Sequence, residues 1–520
     1  MTKKKTKGKS KTLQETIIEV CLKRGIVFPT AEIYGGSAGF FELGPVGEAL
    51  RQNMIDLWRD TFIKSEDNVY EISGSTILPE KVFEASGHLD SFNDPLTQCQ
   101  NCKSMYRVDH LILEQVGIKV EGQSLDDMWK VIQDNRIKCP NCKHDLSPPK
   151  QFNMMFSTNI GSTSGNIGYL RPETAQNIFL SFRRVSHSMR AKLPFGIAQI
   201  GRAYRNEISP RNFLVRLREL QQMELEMFVD PDLLNSHPRW DDFQDTEINF
   251  LSQEAQEKGD KATFITIKEG IDSGLIVNQY LGYFLAMETG FIESLGIKKG
   301  KFFFRHLLDH ETAHYSKANY DLEIEFPFGV VECVGLAYRT DYDLRKHQEK
   351  SKTKLHISED GKKIIPHVVE PSFGVDRLIY AILLASYREG DRDWTWFDFP
   401  NSLAPWEVVV APLQRKDGLP EGARELFWEL KDQGIDAIYD QTGQIGKRYA
   451  RSDEIGIPLV ITYDYDSLED DTVTLRERNS MKQVRIPIQD VGTIIREFML
   501  DIVSWDEMTK EFGEFIKNSK

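Results

Sequence analysis

The chain has 520 residues, too many for one hydrophobic core and enough for about three to four domains. Its formal net charge of −14 repels phosphates overall, which excludes indiscriminate nucleic-acid binding and confines any such partner to local basic strips. The apolar run at residues 378–385 falls well short of the ~20 residues that span a bilayer, so no membrane segment is expected.

Residues 1–12 are lysine-rich, with no apolar core and no arginine. They fit neither a secretory nor a transit peptide and read as a disordered basic tail of a cytoplasmic protein, with weak nucleic-acid contact as the alternative. Val46, Leu50, Met54, Leu57 and Phe62 recur at helical spacing, which predicts one amphipathic helix over 45–63. A short strand is expected at 69–72, and Gly87-His88 and Asn93-Asp94-Pro95 mark turns.

Of six cysteines, Cys99, Cys102, Cys139 and Cys142 form two Cys-x-x-Cys pairs, while Cys21 and Cys333 stand alone. Two such pairs can complete a tetrahedral zinc site whose four protein ligands leave no position open for catalysis. Metal-free reduced thiols or disulfides are the alternatives. The stretch that carries them, residues 96–150, reads as an insert in a core domain formed by 13–95 and 151–400.

Within that core, strand-like runs at 195–200 and 219–228 flank a loop rich in Arg, Pro and Asn, the pattern of an antiparallel hairpin with a long functional tip. Arg205 and Glu207 take alternate positions, which on a strand puts both side chains on one face. Alone, such a pair is usually a surface ion pair. Here a basic stretch, Val215-Arg216-Leu217-Arg218-Glu219-Leu220, follows, and a second arginine heads an apolar helix in Glu370-Pro371-Ser372-Phe373-Gly374-Val375-Asp376-Arg377. Together these can hold a folded nucleoside triphosphate.

Residues 231–310 read as a polar helical insert with no assigned function. His310-Glu311-Thr312-Ala313-His314 matches the HExxH of zinc proteases and supplies a rival enzyme class, although no third ligand is specified; the other reading is a helix with ordinary core or surface histidines. In residues 403–520, strand-like runs at 407–410, 437–439, 458–462 and 484–486 occur, the first three separated by helical stretches at 420–433 and 446–454. This indicates a small α/β domain with its own sheet.

The collinear series Glu32-Ile33-Tyr34-Gly35-Gly36, Gly44-Pro45-Val46-Gly47, Ser86-Gly87-His88, Leu170-Arg171-Pro172-Glu173-Thr174-Ala175-Gln176, Arg205-Asn206-Glu207-Ile208-Ser209-Pro210-Arg211 and Arg339-Thr340-Asp341-Tyr342-Asp343-Leu344, with residues 370–377, resembles the class II aminoacyl-tRNA synthetases. Within them it resembles the homodimeric glycyl-tRNA synthetases, over about residues 20–500. The resemblance implies an α+β fold: an antiparallel-sheet catalytic domain with a zinc-binding insert, and a C-terminal α/β anticodon-binding domain. It implies ATP-dependent ligation of glycine to tRNA(Gly) through a glycyl-adenylate, with Mg2+ and structural Zn2+. A twofold homodimer is implied as well, because the helix after Pro45 and the strand toward Pro79 match the element that pairs subunits.

By the same resemblance Arg205 meets the α-phosphate as electrostatic catalyst, Glu207 accepts from the adenine amino group, Arg216 and Arg218 reach the outer phosphates, and Arg377 clamps the γ-phosphate. Asn206, Val215, Leu217, Glu219, Leu220, Gly374, Val375 and Asp376 belong to the ATP site, and Glu332-Cys333 brings the carboxylate associated with ATP and magnesium. No general base is needed, since a glycine carboxylate is already ionised at neutral pH.

Glu173, Glu224, Glu370 and Ser372 form the implied glycine pocket. Gln221, Gln222, Met223, Pro371, Phe373 and Gly374 surround it, and Arg107 joins it unless it is a surface pair. Carboxylates there hold the α-ammonium and fill the space a side chain would need, so crowding excludes larger amino acids without an editing domain, unlike the ~1–3 kcal/mol that a single methylene gives. Leu220 stands where the family has a Phe against adenine, leaving an apolar wall without a π-face. In the C-terminal domain Lys447, Arg448, Arg451, Arg476 and Arg478 are available for phosphates and Tyr449 for base stacking, while each charge taken singly reads more readily as an ordinary solvated surface charge. A non-catalytic, nucleic-acid-binding relative is the alternative class; loss of the ATP-clamping arginines would favour it, and Arg205, Glu207 and Arg377 are all present.

Overall fold

A computed structural model describes residues 11–120, 122–162, 165–359 and 361–515. The basic tail therefore lies outside the described residues up to position 10, and Thr12 already caps the helix Leu13–Arg24 by accepting from the Glu15 amide.

The centre of the molecule is a nine-stranded sheet. In chain order its strands are β1 (Val69–Ile72), β2 (Phe195–Tyr204), β3 (Glu219–Val229), β4 (Glu247–Leu251), β5 (Thr263–Thr266), β6 (Phe302–His306), β7 (Ala318–Phe326), β8 (Gly329–Thr340) and β9 (His367–Gly374). They lie side by side as β5-β4-β6-β7-β8-β9-β3-β2-β1. Every pairing is antiparallel except β1 with β2 and β4 with β6.

Period-two alternation sorts the side chains of this sheet. On β3, Met223, Leu225, Met227 and Val229 face a large core with Leu50 and Trp58 of the helix Pro45–Arg59, Leu281 and Phe284 of the helix Gln279–Ser294, and Leu378 and Ile382 of the helix Val375–Ser386. The alternate residues Gln222, Glu224, Glu226 and Phe228 take the other face. There Phe228 packs on Phe182 and Phe195 at ring-centroid distances of 4.7 and 5.2 Å, closing one end of that face, while the polar end stays open.

The helix expected over 45–63 starts at Pro45, where a missing N–H costs nothing, and ends in a widened turn over Asp60–Lys64. Gly47 is required in it, because a Cβ there would lie 2.0 Å from the Ile26 carbonyl oxygen.

The expected helical insert at 231–310 differs from the structure. It holds a buried helix, Gln279–Ser294, but it also supplies β4, β5 and β6 to the main sheet. In Glu247–Leu251 the buried residues Ile248 and Phe250 alternate with polar ones, a period of two hidden between helical stretches.

Within residues 96–150, Val108, Leu111, Ile112, Met128 and Ile132 pack with Cys99 and Cys139 in a hydrophobic cluster of their own. The stretch is tied to the rest through the strand Asn93–Gln98, which pairs with both Met105–Arg107 and Lys150–Asn153, so its edge falls inside a strand. The C-terminal sheet comprises β10 (Val408–Pro412), β11 (Ala437–Tyr439), β12 (Leu459–Tyr463), β13 (Thr472–Glu477) and β14 (Gln483–Pro487), ordered β11-β10-β12-β13-β14. Its first three strands are parallel and the rest antiparallel. β13 carries no apolar-run signal, since it ends on the buried charges Arg476 and Glu477. Among the described residues no helix is long and apolar enough to cross a membrane.

Candidate active site

The polar end of the central sheet opens into a cleft of about 440 Å³. Register explains why: Gln222 lies opposite Gly374 and Glu224 opposite Ser372, while Ser372 and Glu370 lie opposite Gly335 and Ala337 of β8. Small residues on β8 and β9 leave the room that Glu224, Glu370 and Gln222 face. Met223, Phe373 and Val375, offset by one, point into the core instead, and Pro371 is buried.

Glu224 is held by four donors. One oxygen accepts from the Thr174 amide (2.8 Å) and the Thr174 hydroxyl, the other from Gln222 Nε2 (2.8 Å) and Ser372 Oγ (2.7 Å). Glu370 accepts from Arg339 Nη1 at 2.8 Å. Arg339, 1 % exposed, also pairs with Asp343 at 2.8 Å, stands 3.8 Å from Glu173, and stacks on Tyr315 with its guanidinium carbon 3.9 Å from the ring centroid. Glu173 completes the ring with His88 at 3.5 Å and Gln176 at 2.8 Å.

These carboxyls are not equivalent. Burial opposes the charge of Glu173, but His88 and Arg339 outweigh it and hold the group well below the usual carboxylate range. Burial pushes Glu370 up to about 8, with Glu224 and Glu173 adding to it and Arg339 opposing. Glu226, directly beneath, is fully buried with neither oxygen hydrogen-bonded, and burial beside Glu370 raises it far above the normal value. Arg339 set among Glu173, Glu370 and Asp343 leaves this group short of positive charge.

The other half of the cleft is cationic. Arg205 Nε donates to the Pro172 carbonyl at 3.1 Å, the end of its guanidinium has no hydrogen-bond partner among the described residues, and its carbon lies 5.8 Å from the Phe92 ring centroid. Arg377 donates to the Val215 carbonyl (3.1 Å) and pairs with Glu332 (3.3 Å), so one side chain joins the helix start, the basic loop and β8. Arg216 stands 3.8 Å from Glu207. Val215, Leu217, Leu220, Gln221, Cys333 and Asp376 complete the wall.

Several expected positions differ. β2 ends at Tyr204, so Arg205 and Glu207 are not strand residues; the Glu207 amide reaches back to the Arg205 carbonyl at 2.7 Å in a tight turn, and both still line the cleft. Arg218 does not line it, since its guanidinium donates to the Glu207 carbonyl (3.1 Å) and the Ala38 carbonyl (2.9 Å). Glu219 pairs with Arg202, Asn206 lies outside the cleft wall with its amide donating to the Met154 carbonyl, and Arg107 is fastened to Asp94 (3.1 Å) and Asp109 (2.8 Å). Arg339, Thr174, Gln176 and His88 hold the pocket carboxylates as well, and the sequence signal for this is a lone arginine inside the apolar run of β8.

The segment at 310–314 is a series of turns rather than a helix, with Glu311 accepting from Arg305 at 2.8 Å. Without helical spacing its histidines do not share a face, which removes the metalloprotease geometry. The C-terminal arginines are also committed inside the protein. Arg448 donates to the Pro412, Gln441 and Gly443 carbonyls, Arg476 pairs with Asp453 (2.8 Å), Arg478 donates to the Gly456 carbonyl (2.6 Å), and Arg451 pairs with Asp440. Tyr449 is half-buried with its hydroxyl on Thr462, whereas Lys447 is exposed.

Away from the cleft, the four paired cysteines bring their sulfurs within 4.8 Å of one another. Cys99 and Cys142 are 3.4 Å apart and Cys102 and Cys139 3.6 Å, near the ~3.8 Å edges of a tetrahedron with Zn–S bonds of ~2.3 Å and well beyond the ~2.0 Å of a disulfide. Both knuckles have one construction: the Lys103 and Lys143 amides donate to the Cys99 and Cys139 carbonyls, and both lysines have positive φ. The donor set fits zinc.

Residues 407–498 match the family described as anticodon binding domain. Over nearly its whole length the chain is similar to the glycine–tRNA ligase of Methanocaldococcus jannaschii, 38% identical across 94% of this chain and 99% of the relative. It is likewise similar to those of Aeropyrum pernix (37%, covering 94% and 97%) and Methanothrix thermoacetophila (37%, covering 95% and 98%). A tri-carboxylate pocket facing an arginine-lined cleft, an anticodon-binding domain and this full-length similarity converge: the chain belongs to the glycine–tRNA ligase family.

Proposed function

We propose that the protein ligates glycine to tRNA(Gly) in two steps. A glycine carboxylate oxygen attacks the α-phosphorus of ATP, a P–O bond forms, and pyrophosphate leaves. A hydroxyl of the tRNA's terminal ribose then attacks the glycyl carbonyl and AMP departs. The observation that carries this reading is the meeting, in one cleft, of Glu173, Glu224 and Glu370 with Arg205 and Arg377.

Glu224, immobilised by its four donors, and Glu370 and Glu173 around Arg339 suit the α-ammonium of the smallest amino acid. Arg205 would stabilise the charge that builds on the α-phosphate, Arg377 would close on the far phosphate, and Glu332 beside it would hold magnesium. Leu220 would serve as the apolar wall for adenine. Cys99, Cys102, Cys139 and Cys142 would hold a structural zinc. The division into a catalytic core, a cysteine-bearing insert and a C-terminal anticodon module, working as a cytoplasmic twofold homodimer, belongs to the same proposal.

Glycine-dependent exchange of pyrophosphate into ATP, with alanine and serine as controls, tests it. Exchange is expected with glycine alone, and Arg205→Ala lowers it by about 10²–10³-fold. No exchange from the folded protein overturns the ligase reading in favour of a binding module.

A further inference from the structure

The insert meets the basic loop through His110 and Glu114, and of these only the His110 ring reaches Arg216. His110, at the start of the helix Val108–Val116, has its Nδ1 2.9 Å from Arg211 Nη2 and 3.4 Å from Arg216 Nη1. A guanidinium only donates, so Nδ1 must offer its lone pair and the ring proton must sit on Nε2. Burial, opposed by Asp109 and reinforced by Arg107, Arg216 and Arg211, pushes His110 down to about 4, which keeps that acceptor available at neutral pH. The surroundings fix the ring: Asp109 accepts from the His110 amide at 2.8 Å and is itself held by Arg107, while Glu114, one helical turn on, pairs with Arg211 at 2.7 Å.

The loop is shaped to meet it. Arg211 and Arg216 face each other across an isolated bridge, with Asn212 and Phe213 both at positive φ in the tight reversal between them. Both arginines thereby reach the same side. Arg216 ends up between His110 of the insert and Glu207 of the cleft, lining the cavity while Arg218, two residues later, is turned away onto backbone carbonyls.

We propose that His110 is a positioning residue through which the cysteine-bearing insert orients Arg216 toward the nucleotide, an inference that rests on the ATP-site reading above. The insert is then part of nucleotide binding without touching the nucleotide. It follows that ATP and glycine respond differently to a change at His110, since among the described residues this ring does not line the cleft that holds Glu224 and Glu370.

The full chain carrying His110→Ala, His110→Asn, Arg216→Ala or both His110→Ala and Arg216→Ala is compared with the unaltered protein by pyrophosphate exchange, with ATP and glycine varied in turn. His110→Ala is expected to raise the ATP KM about tenfold, the effect of one hydrogen bond to a charged group, with the glycine KM unchanged. His110→Asn, whose Oδ1 accepts near the Nδ1 position, restores most of the loss, and His110→Ala adds nothing once Arg216 is removed. An unchanged ATP KM in His110→Ala beside a raised one in Arg216→Ala overturns the inference, as does a penalty that persists in full without Arg216. An unchanged ATP KM in Arg216→Ala overturns the nucleotide reading of that arginine itself, and the inference with it. Thermal melts identify folded variants, and if His110→Ala is not among them, His110→Lys, which replaces the acceptor by a donor, carries the same comparison.

Discussion

Glu370 faces the Arg339 guanidinium and the carboxyls of Glu173, Glu224 and Glu226 inside a buried pocket, and this imbalance decides where its proton is. Its pKa is raised to about 8, so near neutrality most of the free protein carries it protonated. An α-ammonium beside it favours the ionised form, which means that glycine binding expels a proton and strengthens as pH rises. The KM for glycine should therefore fall by up to about tenfold per pH unit from pH 6 toward 8 and level off above it. Glu370→Gln should bind glycine more weakly and lose that slope; a wild-type KM flat over this range removes the proposed proton release. Arg218 and Arg216 teach the complementary point. They are alike in type and two residues apart, yet one lines the cleft and the other serves a loop, because the difference lies in carbonyls distant in the chain.

At the scale of elements, two knuckles of identical build hold two helices and three short strands around a core of few residues. So small a core has little apolar area to bury, and a tetrathiolate zinc supplies the missing free energy in such units. Metal analysis should find about one zinc per chain. Cys99→Ser with Cys139→Ser should abolish it and increase amide exchange in the helix Val108–Val116, while β3 and β9 remain protected. Undiminished protection after zinc loss would show that the insert stands on its own packing. The helix Val375–Ser386 and β9 were legible as a junction because apolar residues follow a Gly at the strand end; β4, β5 and β6 were not, since short strands among helices leave too few periods to count.

At the scale of the molecule, the C-terminal domain docks through a buried charge centre. Asp453, with no exposure, accepts from Arg392 (2.9 Å), Trp394 (3.1 Å) and Arg476 (2.8 Å), and next to it Glu454 pairs with Lys23 and Arg24 of the first helix. Asp453→Ala would leave the buried Arg476 guanidinium without its carboxylate and Arg392 with only Asp391 at 3.7 Å, at a cost of about 3–5 kcal/mol. Calorimetry should show the C-terminal domain melting earlier, and tRNA charging should fall much further than glycine-dependent pyrophosphate exchange. Equal loss of both activities would mean that docking matters to the catalytic core itself.

The sequence by itself determined the antiparallel hairpin of β2 and β3 and the four-cysteine donor set, because periodicity and spacing are local properties that survive without coordinates, and its collinear motifs carried the resemblance to the family and to its cleft residues. Only the tertiary structure decided which charges were available. Arg448, Arg476 and Arg478 look like an RNA-facing strip in one dimension and are buried against carbonyls and Asp453 in three, and Arg339 emerges as the hub of the carboxylate cluster only once β8 is laid beside β9. A charged side chain is defined by its partner, and partners are assigned by packing across long stretches of chain.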